Sequence, residues 1–207
     1  MAKPTANPRS TGKQAARSGT TSPRQIRSTV PSVSTRSSAD AVTILQERLV
    51  ALLDLQLTLK HIHWNVVGMN FIAVHQMLDP QVDAVRDMSD AVAERIATMG
   101  GEPLGTPGAI VALRNWADYD IDRAPTVRHL MALDAVYSGV IEDHRAAQER
   151  LGELDPVSQD LFIGHLGQLE LFQWFVRAHL KDSSGDVSHR STEPAKQTGR
   201  RSRAASV

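Results

Sequence analysis

The chain has 207 residues, enough for one domain with terminal extensions, and contains no cysteine, which excludes disulfides, thiolate catalysis and cysteine-ligated zinc. No apolar run approaches the roughly 18 residues of a membrane span, so no transmembrane helix is predicted. The formal net charge is zero.

That zero is the sum of basic ends and an acidic middle. Residues 1–40 carry seven Lys or Arg against one acid, residues 182–207 carry five against three, and residues 41–181 carry 11 against 19. An acidic body with basic ends favours attraction of cations by the body and of polyanions by the ends.

Residues 1–38 are rich in Ser, Thr, Pro, Arg and Lys and nearly free of large apolar side chains. Such a segment cannot bury enough surface to offset its ordering entropy, so we predict a disordered basic N-terminal tail over 1–38 and a disordered basic C-terminal tail over 183–207. The first tail lacks the apolar core of a secretory signal, although its composition also loosely fits an organellar transit peptide.

Between the tails, residues 39–182 carry apolar side chains at spacings of three and four, the periodicity of amphipathic helices, and no strand is predicted. The first helix takes Ser38 or Asp40 as its N-cap and ends near Val67, where Gly68 provides a stop.

A second helix is capped by Asn70 and ends at two glycines, residues 100–101. Asp79-Pro80 lies inside it and locally resembles a helix start, but the apolar periodicity continues on both sides without a loop. We therefore predict one helix with a kink at Pro80, because proline removes a backbone hydrogen bond.

The connection over residues 102–116 contains one short predicted helix. A third long helix spans residues 126–154, and Asp155-Pro156 then supplies the cap and the first residue of a fourth. Four long helices with one long connection in the middle predict an all-α, ferritin-like four-helix bundle over residues 39–182.

Residues 61–79, HIHWNVVGMNFIAVHQMLD, place three histidines among apolar side chains, where a single histidine is most often an ordinary core residue. Two polar pairs favour another interpretation. His75 with Asp79, and Asp90 with Glu94, are each four residues apart and so share a helix face, which suits two ligands of one metal ion. An isolated acidic pair, by contrast, is more often solvated surface.

The two pairs cannot bind one ion within one chain. His75 and Asp90 are 15 residues apart, about 22 Å along a helix, but differ by only about 60° around its axis. Two copies of the helix packed antiparallel about a two-fold axis would place His75 of one chain opposite Asp90 and Glu94 of the other. His63 fits this scheme, because the turn at Gly68 brings it to a height similar to that of His75.

Imidazole and carboxylate ligands without thiolate suit iron, with zinc or manganese as alternatives. Bundles that hold a di-iron site within one subunit use Glu-x-x-His on two helices, and this motif is absent from the sequence. An intrasubunit ferritin or di-iron oxygenase centre is therefore not predicted.

Four motifs together resemble the Dps family, the DNA-binding proteins from starved cells or miniferritins: HWNVVGMNFIAVHQMLD (63–79), DAVAERI (90–96), GGEPLGT (100–106) and FQWFVRAHL (172–180). The basic tails are most similar to actinobacterial, mycobacterial-type members. The resemblance implies a hollow homododecamer of two-fold dimers that oxidises Fe(II), preferentially with hydrogen peroxide, stores the ferric product and protects DNA. It also implies a cytoplasmic, nucleoid-associated protein.

In this family the two-iron ferroxidase centre lies between two-fold related subunits. The resemblance therefore implies three ligands from one chain and two from its partner: His63, His75 and Asp79, then Asp90 and Glu94. Trp64 matches the family's aromatic residue beside the centre, thought to intercept stray oxidising equivalents, with plain core packing as the alternative. Pro80 departs from the pattern and bears on the position of Asp79.

His61 receives no ligand role, because it points to a different face from His63. Three other histidines are expected to be ordinary bundle residues: His144, His165 and His179. Three acids near the turn between the third and fourth helices are candidates for lining iron uptake pores, with solvated surface as the alternative: Glu153, Asp155 and Asp160.

Binding of double-stranded DNA is assigned to the tails, because an acidic shell repels phosphates. The C-terminal segment EPAKQTGRRSRAASV carries a basic cluster suited to phosphates but not to base recognition: Lys196, Arg200, Arg201 and Arg203. A merely solubilising tail is the alternative. Two other functions stay open: a nucleoid-packing protein with a vestigial site, and a manganese catalase or oxygenase, which the missing Glu-x-x-His disfavours.

Overall fold

The structure is a computed structural model that describes residues 26–181. Its elements in chain order are α1 (Thr35–Asn65), β1 (Val66–Val67), α2 (Phe71–Thr98), α3 (Pro107–Leu113), β2 (Ala124–Pro125), α4 (Thr126–Leu154) and α5 (Pro156–Leu180). The four long helices, with the short α3 in the connection between the second and third of them, confirm the predicted four-helix bundle.

The bundle consists of two helical hairpins, α1 with α2 and α4 with α5, around one apolar core. Leu45, Leu52 and Leu59 recur every seven residues along α1 and are completely buried, as expected for one face of an amphipathic helix. Each such leucine contributes about 1.5–3 kcal/mol of hydrophobic stabilisation. Within residues 26–181, no helix has the length and apolar character needed to span a membrane.

Two short strands close the end of the bundle where α1 turns into α2. β1 pairs in parallel with β2, Val66 opposite Ala124 and Val67 opposite Pro125. The Thr126 hydroxyl then donates a 3.0 Å hydrogen bond to the Met69 carbonyl. The prediction of no strand is wrong here, because two residues are too few to produce an alternating pattern.

α1 begins earlier than predicted. Its N-cap is Ser34, whose hydroxyl accepts the backbone N–H of Ser37 at 3.0 Å, and not Ser38 or Asp40. Ser38 lies inside the helix and is completely buried.

The segment before Ser34 also packs on the bundle, through the partly buried side chains of Ile26, Val30 and Val33. The predicted end of the N-terminal tail at residue 38 is therefore too late, because these few apolar residues suffice to hold the segment. Residues 1–25 and 182–207 of the predicted tails lie outside the described residues.

α2 continues through Pro80 without a break, as predicted. Asn70 stands at its N-cap position, but its side chain makes no hydrogen bond to the helix end. Asn70 instead adopts a left-handed backbone conformation with φ of 63°, which asparagine tolerates better than most residues.

Three histidines of α4 and α5 are predicted to be ordinary bundle residues. His144 and His165 are buried and pack against the ring of Phe162, whereas His179 is exposed. Burial lowers the pKa of His144 to about 3 and that of His165 to about 4, so both are neutral core residues at pH 7.

Asp155 caps α5 as predicted and also joins the two hairpins. Its carboxylate accepts the backbone N–H of Ser158 at 2.9 Å and lies 2.5 Å from Arg95 Nη2 of α2. Burial alone would raise the pKa of Asp155, but the hydrogen bonds from Ser158 and Arg95 outweigh it and hold the pKa below its usual value. With only 3% of its surface exposed, Asp155 is not open to line a pore, unlike the exposed Glu153 and Asp160.

Asp155→Asn is expected to destabilise the folded protein at pH 7 by about 3 kcal/mol, because the Arg95 charge loses its buried partner. The folded-state pKa of Asp155 is depressed, so its contribution is present above the unfolded value of about 3.9 and is lost as the pH falls through the folded value. Urea unfolding followed by circular dichroism between pH 7 and pH 3 measures the free energy of unfolding of the variant and of the native protein. Asp160→Asn on the exposed side of α5 is the control, and equal losses in both variants would contradict the prediction.

Candidate metal centre

His63 and His75 face each other across the α1–α2 turn. His63 Nδ1 lies 3.0 Å from the His75 carbonyl oxygen, and His75 Nδ1 lies 3.0 Å from the His63 carbonyl oxygen. Their rings stack with centroids 3.6 Å apart. A ring nitrogen bonded to a carbonyl must donate its hydrogen, so in the neutral rings both Nε2 atoms keep a lone pair for a metal ion.

Asp79 lies beside this pair, with Oδ1 3.3 Å from His63 Nδ1. Burial, followed by the charge of Lys60, lowers the pKa of His63, which favours the neutral ring that can bind a metal. The structure thus brings three predicted ligand residues together. The continuity of α2 through Pro80 keeps Asp79 on this face.

Lys60 belongs to the same group, although the sequence pattern did not single it out. Its Nζ lies 3.2 Å from Asp79 Oδ1 and 5.8 Å from the centre of the Trp64 ring. Lys60 precedes His63 by three residues, a spacing that places both on one side of α1. This spacing is the sequence feature that could have identified Lys60 as part of the group. Its ammonium group balances the Asp79 carboxylate as a bound cation would.

Trp64 does not pack in the core of its own chain, since 70% of its surface is exposed. Other large apolar side chains near the α1–α2 turn are also exposed: Leu57, Phe71 and Ile72. Several large apolar side chains exposed near one turn are a feature of protein–protein contact surfaces.

Asp90 and Glu94 are exposed on α2 and lie apart from the histidines. Fifteen residues, about 22 Å of continuous helix, separate Asp90 from His75. Within residues 26–181, no three His, Asp or Glu side chains of a single chain are placed to hold one metal ion. A centre that uses all the predicted ligands therefore requires a second chain.

A single stripe along α2 connects the two groups of residues. Ile72, Asp79 and Asp90 fall within about 20° of each other around the helix axis, and all three are exposed. Asp90 also lines an open groove between α1 and α2, together with Leu49 and Leu53. A mixed apolar and acidic stripe can pack against a two-fold copy of itself.

His61 points away from this group, as predicted. Its Nε2 lies 2.9 Å from the Ile121 carbonyl oxygen, and its own carbonyl accepts a 2.8 Å hydrogen bond from Asn65 Nδ2. The contact of His61 with Ile121 therefore holds the connection between α3 and β2 against the end of α1.

A separate apolar cavity of about 410 Å³ lies between α1 and α4, below residues 115–121. None of the predicted ligand residues lines it. The candidate metal centre thus lies on an exposed face of the chain and apart from this cavity.

The sequence matches the ferritin-like domain family over residues 42–184. It is 56% identical over 167 residues to the DNA protection during starvation protein of Mycolicibacterium smegmatis, a match that covers 80% of this chain and 91% of that protein.

Two solved structures are similar to this one. Mycobacterium smegmatis Dps aligns with a TM-score of 0.78 at 52% identity, over 84% of this chain and 99% of that chain. DpsA14 from Streptomyces coelicolor aligns with a TM-score of 0.77 at 57% identity, over 79% of this chain and 98% of that chain. The fold, the sequence match and these alignments agree, and the chain belongs to the ferritin-like Dps family, in its actinobacterial, mycobacterial type.

Proposed function

We propose that this protein oxidises Fe(II) at centres shared by two chains, preferentially with hydrogen peroxide, and stores the ferric product in a hollow homododecamer. The single observation that carries the proposal is the reciprocal hydrogen bonding of the stacked His63 and His75 rings, which leaves the Nε2 lone pair of each ring available, with Asp79 3.3 Å from His63 Nδ1. Asp90 and Glu94 of the partner subunit would complete the two-iron centre.

Iron is the substrate here, and the residues have distinct tasks. His63 and His75 would bind Fe(II) through Nε2, and Asp79 would exchange its contact with Lys60 for one with the metal. The carboxylates supply the negative charge that favours Fe(II) once it has lost water molecules. Trp64, exposed and with its ring centre 5.8 Å from Lys60 Nζ, would donate an electron to a stray oxidant.

Hydrogen peroxide accepts two electrons, and two adjacent Fe(II) ions supply one electron each. As two Fe(II) become two Fe(III), one peroxide and two protons become two water molecules, and no radical is released. A single Fe(II) supplies one electron, which converts peroxide to hydroxide and a hydroxyl radical. Protection from peroxide therefore depends on a complete ligand set for two ions.

Replacing both imidazoles, His63→Ala with His75→Ala, is expected to slow Fe(II) oxidation about 100-fold or more, because the ligands with the available lone pairs are lost. Ferric absorbance after addition of Fe(II) with peroxide, or with oxygen, measures the rate. His179→Ala, an exposed histidine of α5, is the control. An unchanged rate in the double variant would refute the ligand assignment, and equal rates with both oxidants would refute the peroxide preference.

A co-assembly experiment tests whether the centre is shared. His63→Ala/His75→Ala chains and Asp90→Asn/Glu94→Gln chains are each expected to be inactive when assembled alone. A mixed two-fold dimer restores one intact centre from the unmodified halves, so random mixing should restore about a quarter of the native activity. Unfolding and refolding the two proteins together, with each refolded separately as the control, makes the comparison. No recovery in assembled mixed particles would contradict a two-chain centre.

DNA binding is proposed for the basic tails. Residues 41–181 carry a net charge of −8 and repel phosphates, whereas the C-terminal tail carries the cluster Lys196, Arg200, Arg201 and Arg203. Many copies of a weak, sequence-independent phosphate contact on one particle combine through avidity. The name of the M. smegmatis relative, a DNA protection protein, agrees with this role, and we place the protein in the cytoplasm in association with the nucleoid.

Deleting residues 188–207 is expected to weaken DNA binding and to reduce its dependence on salt, because each phosphate contact releases counterions. Gel shifts of DNA fragments of unrelated sequence over a series of salt concentrations measure both effects. Deleting residues 2–25, which removes a comparable positive charge, is the matched comparison. An unchanged gel shift for the first deletion with a loss for the second would assign DNA binding to the N-terminal tail instead.

A further inference from the structure

The chain contains two tyrosines, and their hydroxyl groups have different partners. The Tyr119 hydroxyl lies 2.8 Å from His129 Nδ1. The Tyr137 hydroxyl donates a 2.7 Å hydrogen bond to Gln81 Oε1. Imidazole accepts a proton at neutral pH, whereas an amide oxygen does not, so only Tyr119 has a base within reach of its proton.

The surroundings prepare Tyr119 and His129 for a coupled reaction. His129 is completely buried, and burial lowers its pKa, so the ring is neutral, and the tautomer with its hydrogen on Nε2 offers the Nδ1 lone pair to the phenol. Burial, followed by the charge of Asp120, raises the pKa of Tyr119, so the phenol does not ionise by itself. Oxidation of Tyr119 is therefore favoured only if its proton moves to His129 at the same time.

The pair lies next to the end of α1 that carries the candidate ligands. The Tyr119 ring is nearly parallel to the His129 ring and meets the His61 ring edge-on, with centroids 5.8 Å apart. His61 precedes His63 by two residues, about 3 Å along the helix axis. Tyr119 thus packs against the last turn of α1, the same turn whose other face carries His63.

We propose that Tyr119 and His129 form a redox-active pair that removes one-electron oxidants produced when a peroxide meets an incompletely loaded centre. The Tyr119 O–H bond breaks, its electron reduces a hydroxyl radical to hydroxide, and its proton remains on His129 as imidazolium. A further Fe(II) returns the electron and becomes Fe(III), while the proton returns from His129. The pair rests on the proposed iron function, which supplies both the oxidant and the reductant.

Freeze-quenched electron paramagnetic resonance tests the pair in the full-length protein. Substoichiometric Fe(II) followed by excess hydrogen peroxide is expected to give a tyrosyl radical, and tyrosine deuterated on its ring should narrow the signal. Tyr119→Phe should abolish the signal. Tyr137→Phe, which removes the hydroxyl on the amide partner, should retain it. A full signal in Tyr119→Phe, or its loss in Tyr137→Phe, would overturn the proposal.

His129→Gln gives Tyr119 the kind of partner that Tyr137 has, a hydrogen-bonding amide without a base. The radical yield is then expected to fall about tenfold or more, because proton acceptance is lost while the ring of Tyr119 stays in place. An undiminished yield would overturn the role of His129. Circular dichroism and particle mass on the same samples exclude misfolding as the cause of a loss.

A second oxidant separates this inference from the iron function. A photo-excited ruthenium tris-bipyridine complex with persulfate oxidises tyrosines without iron. The tyrosyl radical signal is again expected to be lost in Tyr119→Phe, reduced in His129→Gln and retained in Tyr137→Phe. Ferric absorbance of the native protein, recorded separately, reports the ferroxidase activity. Radical formation at Tyr119 without ferric absorbance would retain the pair and reject the iron function, whereas ferric absorbance without this radical would reject the pair alone.

Discussion

The reciprocal hydrogen bonds between His63 and His75 connect the fold to the proposed chemistry. The His63 carbonyl belongs to the last turn of α1, where carbonyl groups lack partners within the helix, and the His75 ring satisfies it. The contact that ends α1 and sets the return of α2 therefore also orients both rings. Any change that loosens the turn would disturb the ligand geometry, and loss of either ring would leave a carbonyl near the helix end without this partner.

Packing and charge around this contact point toward assembly. The large buried leucines hold α1 against α2, but the outer stripe of α2 is exposed and mixes Ile72 with Asp79 and Asp90. A stripe of carboxylates repels its own copy unless cations reduce the charge. The ammonium group of Lys60 already reduces the negative charge at Asp79. This smaller charge favours association of two chains before any metal is bound.

Sequence periodicity predicted the bundle well because repeats such as Leu45, Leu52 and Leu59 each bury a whole side chain. The periodicity did not identify the start of α1, because Ser34 and Ser38 are both acceptable caps and the structure uses Ser34. Contacts between distant residues also escaped it. The pairs Arg95–Asp155 and Tyr119–His129 join segments whose proximity is set by tertiary packing, and neither leaves a local pattern in the chain.

The length of uninterrupted helix between His75 and Asp90 affects when a single chain can first react with iron. If the centre needs residues from both ends of that span on two chains, a newly synthesised chain cannot use iron until it has found a partner. Ferric product would then form only on assembled protein, close to the space that stores it. The spacing would therefore delay iron oxidation until two newly synthesised chains have assembled, without an additional regulator.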